Sequence, residues 1–187
     1  MIATSDFKKG VKILFRDEPY TVISFLHVKP GKGGAFVRTK MKNMITGLVR
    51  EETFRSGEKF KDPGLEYKDM QYLYEDNGLY NFMDQNTYDQ VAFNKDQLED
   101  ILNKYLKEQE IYSILYFQGK PIRVSPPMFM NLTVTQTQPG VRGDTAQGGA
   151  TKPATLETGL VLSLPLFVEE GQIVKVDTRD DKYIERV

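Results

Sequence analysis

One histidine and no cysteine in 187 residues leave little material for covalent or metal-bound catalysis. His27 lies beside Val28 in a β-like run, and neither HExxH nor GxSxG spacing occurs. It therefore reads as a partly buried strand residue instead of a member of a triad or metal cluster. The missing thiols exclude disulfides, thiolate zinc sites, iron–sulfur sites and a cysteine nucleophile, and they suit a reducing compartment. The acidic pairs Glu51–Glu52, Glu169–Glu170 and Asp180–Asp181 are adjacent in the chain. Neighbours on a strand point to opposite faces, so such pairs cannot share one proton and read as solvated. No catalytic set, metal or cofactor is expected.

The run Pro30, Gly31, Lys32, Gly33, Gly34 carries the most chemistry per residue. It is not a phosphate loop: Lys32 is followed by Gly instead of Ser or Thr, no glycine stands five residues before it, and Phe36 occupies the third-glycine position of a GxGxxG pattern. It does separate two β-like runs, 20–28 and 35–41, which places Lys32 at a hairpin tip. Glycines on either side remove neighbouring side chains, and the lysine stem adds about 6 Å of reach by its summed bond lengths. Without a burying pocket or a neighbouring cation, Lys32 is a poor Schiff-base or general-base lysine and a good point charge or modification target. After the tip, Arg38, Lys40 and Lys42 recur at every second residue with Phe36, and so share one face of the departing strand. A cationic stripe leading to a cationic tip fits a protein that lies along a phosphate backbone while inserting one side chain further.

Charge is distributed in the same sense. Residues 1–63 carry 13 Lys or Arg against 7 Asp or Glu, a net +6, whereas 64–127 is net −5 and 128–187 net −2. The basic third suits a polyanion and the acidic remainder suits solubility. No apolar run approaches the ~20 residues that span a bilayer, and the MIATSDFKKG start lacks the apolar core of a secretion signal, so a cytoplasmic protein is expected.

Short runs rich in Val, Ile, Phe, Tyr and Thr, bounded by Gly, Pro, Asn or Asp, predict an all-β chain of small barrels or sandwiches. Strands are expected at 11–15, 20–28, 35–41, 47–54, 70–75, 80–84, 111–117, 131–138, 160–165 and 173–177. One helix is expected over 96–107, with Asp96 as cap, Glu99 three residues later, and Leu98, Ile101, Leu102, Tyr105 and Leu106 on one stripe. Breaks at 61–64 and 125–127 divide the chain into domains 1–63, 64–127 and 128–187. The stretch 138–155, with Pro139, Gly140, Gly143, Gly148, Gly149 and Pro153, reads as a long functional loop.

The segment His27 to Phe36 resembles the hairpin loop of the bacterial elongation factor P family. Met70 to Tyr74 resembles the start of that family's second domain, and Pro139 to Ala146 its third-domain loop. Lys152 to Gly159, Val161 to Val168 and Val176 to Thr178, with Tyr183 and Arg186, resemble its C-terminal signature. The ordered set covers nearly the whole chain. One departure falls at Glu51–Glu52, where many members carry Lys at the second position.

The resemblance implies an N-terminal SH3- or KOW-like barrel followed by two OB-type barrels, in an elongated, tRNA-like shape. It implies a monomeric accessory translation factor that binds the ribosome between the peptidyl and exit sites and relieves stalling at consecutive prolines. Lys32 would contact the CCA end of peptidyl-tRNA at the peptidyl transferase centre, and a lysine-modifying enzyme would extend it. Gly143, Asp144 and Thr145 would approach the exit-site codon of mRNA on the small subunit, and Tyr183 and Arg186 would make C-terminal ribosome contacts. A paralogous elongation-factor-P-like protein shares the architecture. The rival reading from composition alone is a general OB-type module for single-stranded RNA, using abundant Tyr and Phe to stack bases, against which the two later segments are acidic.

Overall fold

The computed structural model describes residues 1–139 and 151–187, so Gly143, Asp144 and Thr145 lie outside the described residues. Among the described residues the regular structure is β-strand apart from two short 3-10 turns. Its strands are β1 (Ile2–Ala3), β2 (Lys12–Phe15), β3 (Glu18–Val28), β4 (Phe36–Asn43), β5 (Val49–Arg55), β6 (Lys59–Phe60), β7 (Leu65–Asp76), β8 (Leu79–Asp84), β9 (Gln90–Asn94), β10 (Ile111–Phe117), β11 (Lys120–Ser125), β12 (Phe129–Thr137), β13 (Thr151–Leu156), β14 (Val161–Pro165), β15 (Ile173–Asp177) and β16 (Lys182–Arg186). Four sheets result, ordered β1-β6, β2-β3-β4-β5, β11-β10-β7-β8-β9 and β14-β13-β12-β15-β16. The packing forms two compact units, Met1–Tyr67 with Leu115–Arg123, and Lys68–Ile114 with Val124–Val187.

The first unit is organised by alternation along β4, where Val37, Thr39, Met41 and Asn43 are buried while Arg38, Lys40 and Lys42 are exposed. With one face buried, register is fixed, because a one-residue slip would bury the cations. Beneath that face Phe7, Ile13, Tyr20, Val22, Phe54 and Phe60 complete the core. Phe54 and Phe60 meet edge-on at 4.7 Å between ring centroids, and Phe7 meets Phe54 at 6.3 Å, the geometry that aromatic quadrupoles favour.

In the second unit, Phe82 packs edge-on against Phe93 and Tyr112 at 5.5 and 5.6 Å. Met130, Leu132, Val134, Leu156, Leu164, Val174 and Val176 are among the buried residues of the β12–β16 sheet. Tyr112 is fully buried and its hydroxyl donates to the Tyr105 carbonyl at 2.6 Å, so its polar end is satisfied where its ring is desolvated.

The structure corrects two expectations about secondary structure. The 96–107 helix is instead a 3-10 turn, Lys95–Leu98, followed by irregular turns in which Lys104, Tyr105 and Leu106 all donate to the Ile101 carbonyl. Capping starts two residues earlier than expected: Asn94 accepts from the Gln97 N–H at 3.1 Å and the Gln97 side chain accepts from the Asn94 N–H at 3.0 Å. Three carbonyl spacings converging on one oxygen cannot propagate a regular helix. The apolar stripe is nevertheless used, since Leu98, Ile101 and Tyr105 are buried. Secondly, part of the expected 138–155 loop is strand β13, which carries Pro153. Pairing of β12 with β13 ends at Thr137 opposite Ala154, and the Pro153 carbonyl accepts from the Thr137 hydroxyl. The edge of Pro153 that lacks an N–H thus faces β12 where the ladder has already ended.

The turns after Leu98 are locked to the β12–β16 sheet by polar contacts. Asp181, in a left-handed conformation at φ 52, accepts from Lys104 Nζ at 2.7 Å and from the Tyr105 hydroxyl at 2.5 Å. Thr158 donates to the Lys104 carbonyl at 2.6 Å, and Lys107 Nζ reaches Glu157 at 3.1 Å. Hydrogen bonds from Lys104 and then Tyr105 hold the Asp181 carboxyl below its ordinary range, while burial and the bond to Asp181 push the Tyr105 phenol up. A carboxylate held down in the folded state contributes stability that is present above its unfolded pKa, about 3.9, and lost as pH falls through the folded value. Asp181→Asn is therefore expected to be less stable than wild type at pH 7, with a smaller difference between the two denaturation midpoints at pH 3, below the unfolded pKa. Urea unfolding at the two pH values checks this, and equal stability at pH 7 would show that the contact contributes nothing.

Candidate functional site: a lysine-tipped hairpin

β3 and β4 pair from Tyr20 opposite Asn43 up to Val28 opposite Phe36, which leaves residues 29–35 to close the hairpin. Lys32 stands at the middle of that loop, exposed, with Pro30, Gly31, Gly33 and Gly34 exposed around it. Among the described residues, nothing in the protein bonds to the Lys32 ammonium. Four residues beyond the last pair project the tip by at most about 14 Å, to which the side chain adds its own reach.

The glycines differ in purpose. Gly33 has φ +105, a conformation that L side chains rarely adopt, whereas a Cβ at Gly31 or Gly34 would meet no atom within 4 Å and neither has such a φ. Gly33 therefore supplies the turn. Gly31 and Gly34 leave the space beside Lys32 empty, which lets the backbone approach a foreign surface closely.

Below the tip, Arg38, Lys40 and Lys42 do share the outward face of β4. Arg38 reaches Glu51 at 3.5 Å from the neighbouring strand, an exposed pair that offsets part of the stripe's charge and that adjacency in sequence did not reveal. Glu52 turns the other way and binds Arg50 at 2.7 Å. The Tyr20 hydroxyl, and then Glu52, hold the Arg50 guanidinium above its ordinary value. His27 is exposed instead of partly buried, because it lies near the open end of β3, where it meets Phe25 edge-on at 5.5 Å. Among the described residues no cluster of three His, Asp or Glu side chains is arranged for a metal ion.

Tyr183 and Arg186 lie together on β16 of the second unit. Their spacing of three would put them on opposite faces of a regular strand. A bulge instead sets Tyr183 opposite Val176 and Arg186 opposite Val174, so both look the same way. Tyr183 lines an open groove of about 500 Å³ with Thr151, Val161, Ser163, Pro165 and Lys182, and the Arg186 guanidinium lies 5.7 Å from the Phe167 ring centroid.

Comparison with known proteins gives three consecutive family matches. Residues 3–60 match the elongation factor P KOW-like domain, 65–124 the elongation factor P OB domain, and 130–186 the elongation factor P C-terminal domain. The elongation factor P of Thermoanaerobacter sp. strain X514 is 51% identical over 187 residues, all of both chains. That of Pelotomaculum thermopropionicum is 54% identical and that of Clostridioides difficile strain 630 is 49% identical, over the same full length. A solved structure titled eukaryotic translation initiation factor 5A from Methanococcus jannaschii shares the fold at TM-score 0.55 and 19% identity, covering 66% of this chain and 94% of that one. With every segment matched in order and half of all positions identical along the full length, the chain belongs to the elongation factor P family of translation factors.

Proposed function

We propose that this protein acts on the ribosome, between the peptidyl and exit sites, and stimulates peptide bond formation where consecutive prolines stall it. The observation that carries the reading is Lys32: an unpartnered ammonium at the end of a hairpin, flanked by open space, above a strand whose outward face is cationic. In this reading Lys32 contacts the CCA end of peptidyl-tRNA, Arg38, Lys40 and Lys42 follow RNA phosphates, and Tyr183 and Arg186 touch ribosomal RNA. Gly143, Asp144 and Thr145 approach the exit-site codon. The chain works as a cytoplasmic monomer of three domains, 1–63, 64–127 and 128–187, with no cofactor and no chemistry of its own.

Proline is a constrained and poorly reactive acceptor, and orienting reactants can supply several kcal/mol, up to about 7–11 in favourable cases. A point charge that fixes the tRNA end needs no shifted protonation and no neighbouring catalyst. It needs only reach and access, which the tip provides. A lysine-modifying enzyme that extends Lys32 would lengthen that reach and add donors.

Lys32→Ala is expected to fold with stability within about 0.5 kcal/mol of wild type, since an exposed tip side chain buries little. In a reconstituted translation assay on a template with three consecutive prolines it is expected to lose the stimulation, and full stimulation by Lys32→Ala would overturn the mechanism. The glycines predict a second pattern. Gly33→Ala is expected to cost about 1–2 kcal/mol for its left-handed φ, or to rearrange the tip and lose stimulation. Gly31→Ala keeps its stability but places a methyl group beside Lys32, so it reduces stimulation alone. Thermal unfolding together with the same assay separates the two effects. Intact mass of protein from its native host, with fragmentation across 28–38, reads the chemical state of Lys32; added mass on another residue would argue against selection of the tip.

A further inference from the structure

We propose that the cationic surface of the first unit extends beyond the β4 stripe onto Lys8, Lys9, Lys12, Lys59 and Lys61, and that this extension also takes an RNA phosphate backbone. This rests on the ribosomal reading above. Phe60 is buried, so Lys59 and Lys61 both point outward, about 6.6 Å apart at 3.3 Å per residue. Lys61 is bridged to Leu14 of β2, whose N–H donates to the Lys61 carbonyl at 3.0 Å. Ile13 is fully buried, which sends Lys12 and Leu14 to the outer face beside Lys61. The Val11 N–H donates to the Lys8 carbonyl at 3.1 Å, so Lys8 and Lys9 occupy the turn that feeds β2. Lys12 Nζ donates to the Tyr67 hydroxyl at 2.6 Å, and the Tyr67 ring is 58% exposed next to it.

None of these five lysines forms an ion pair among the described residues. The carboxylates closest in sequence are occupied with backbone: Asp6 accepts from the Ala3 N–H, Glu58 from the Arg55 N–H and Asp62 from the Gly64 N–H. Lysines without ion-pair partners leave their ammonium groups available to a polyanion. Lysines on flexible stems, spread along two neighbouring strand segments, suit phosphate contacts that read no base. Lys12 of β2 lies opposite Thr21 of β3, which lies opposite Lys42 of β4, so the lysines of β2 and β6 continue the outward face of the Arg38 stripe across the sheet. One RNA backbone could thus follow that face from β4 to β6.

The test compares full-length Lys59→Gln/Lys61→Gln with wild type and with a control that removes the same charge elsewhere, Lys95→Gln/Lys120→Gln. Binding is measured against salt concentration with two probes, ribosomes carrying tRNA in the peptidyl site and a short protein-free RNA duplex. Each lost phosphate contact lowers the slope of log K against log salt by about 0.7–0.9, so the Lys59/Lys61 variant is expected to lose about 1.5 on both probes while the control loses nothing. Equal slopes for variant and control would overturn the proposal. A loss on ribosomes without a loss on the duplex would also overturn it, by assigning the face to an acidic protein. If wild type fails to bind ribosomes, the ribosomal reading falls by itself, and the duplex slopes still decide whether this face binds RNA.

Discussion

The alternation along β4 is the constraint on which the rest of the first unit depends. Its inward side chains form part of the core, its outward ones form the cationic stripe, and its upper end holds the Lys32 loop. Both ends are pinned. At the lower end buried Asn43 donates to Glu18 at 2.7 Å and accepts from the Ile45 and Thr46 N–H groups at 2.8 and 2.9 Å, closing the turn to β5. At the upper end the pair Val28 and Phe36 marks where the hairpin leaves the sheet. A slip of one residue would reverse every side chain, so the same burial that stabilises the barrel also aims the cations.

Electrostatics on this hairpin are divided between its two faces. Glu51 and Glu52 are adjacent in sequence but serve opposite sides, Glu51 beside Arg38 and Glu52 beside Arg50. The unusual acidic residue at position 52 therefore sits with Arg50 and Arg16 and not in the stripe. Its effect on the stripe is indirect, through the net charge of the unit. Glu51 is the residue that weakens the stripe, and an exposed pair of this kind contributes about 0–1 kcal/mol, so a phosphate can readily take its place at Arg38.

What the sequence disclosed follows from which interactions are local. A run of β-branched and aromatic residues is a property of one strand, so 111–117 and 173–177 coincide with β10 and β15, and the hairpin tip was legible from its glycines. The cap at Asn94 was missed because Asp96 and Glu99 satisfy the same pattern, and only the three-dimensional turn decides between them. β13 was hidden because Pro153 marks a loop unless a partner strand is known to have ended beside it. The bulge that brings Tyr183 and Arg186 to one face is a property of pairing with β15, and a spacing of three in the chain argues against it. The Asp181 joint joins residues 76 and 77 positions apart, beyond any local rule.

Lys32 is set apart by its place at the tip of a glycine loop. Several cations of the second unit are used internally: Lys104 with Asp181, Lys107 with Glu157, Lys175 with Glu185, and Arg179 with Asp177, whose carboxyl the guanidinium holds down to about 2. Each of those contacts gives the fold a reason to keep the charge. Lys32 stabilises nothing and is surrounded by residues whose side chains have been removed, one of them to permit a strained turn and two to leave empty space. Flexible loops with three glycines also lose more chain entropy on ordering than ordinary ones. A tip that contributes nothing to stability and carries that cost is accounted for only by what it meets outside the protein. On the function proposed above, that partner is the phosphate and ribose chain of RNA.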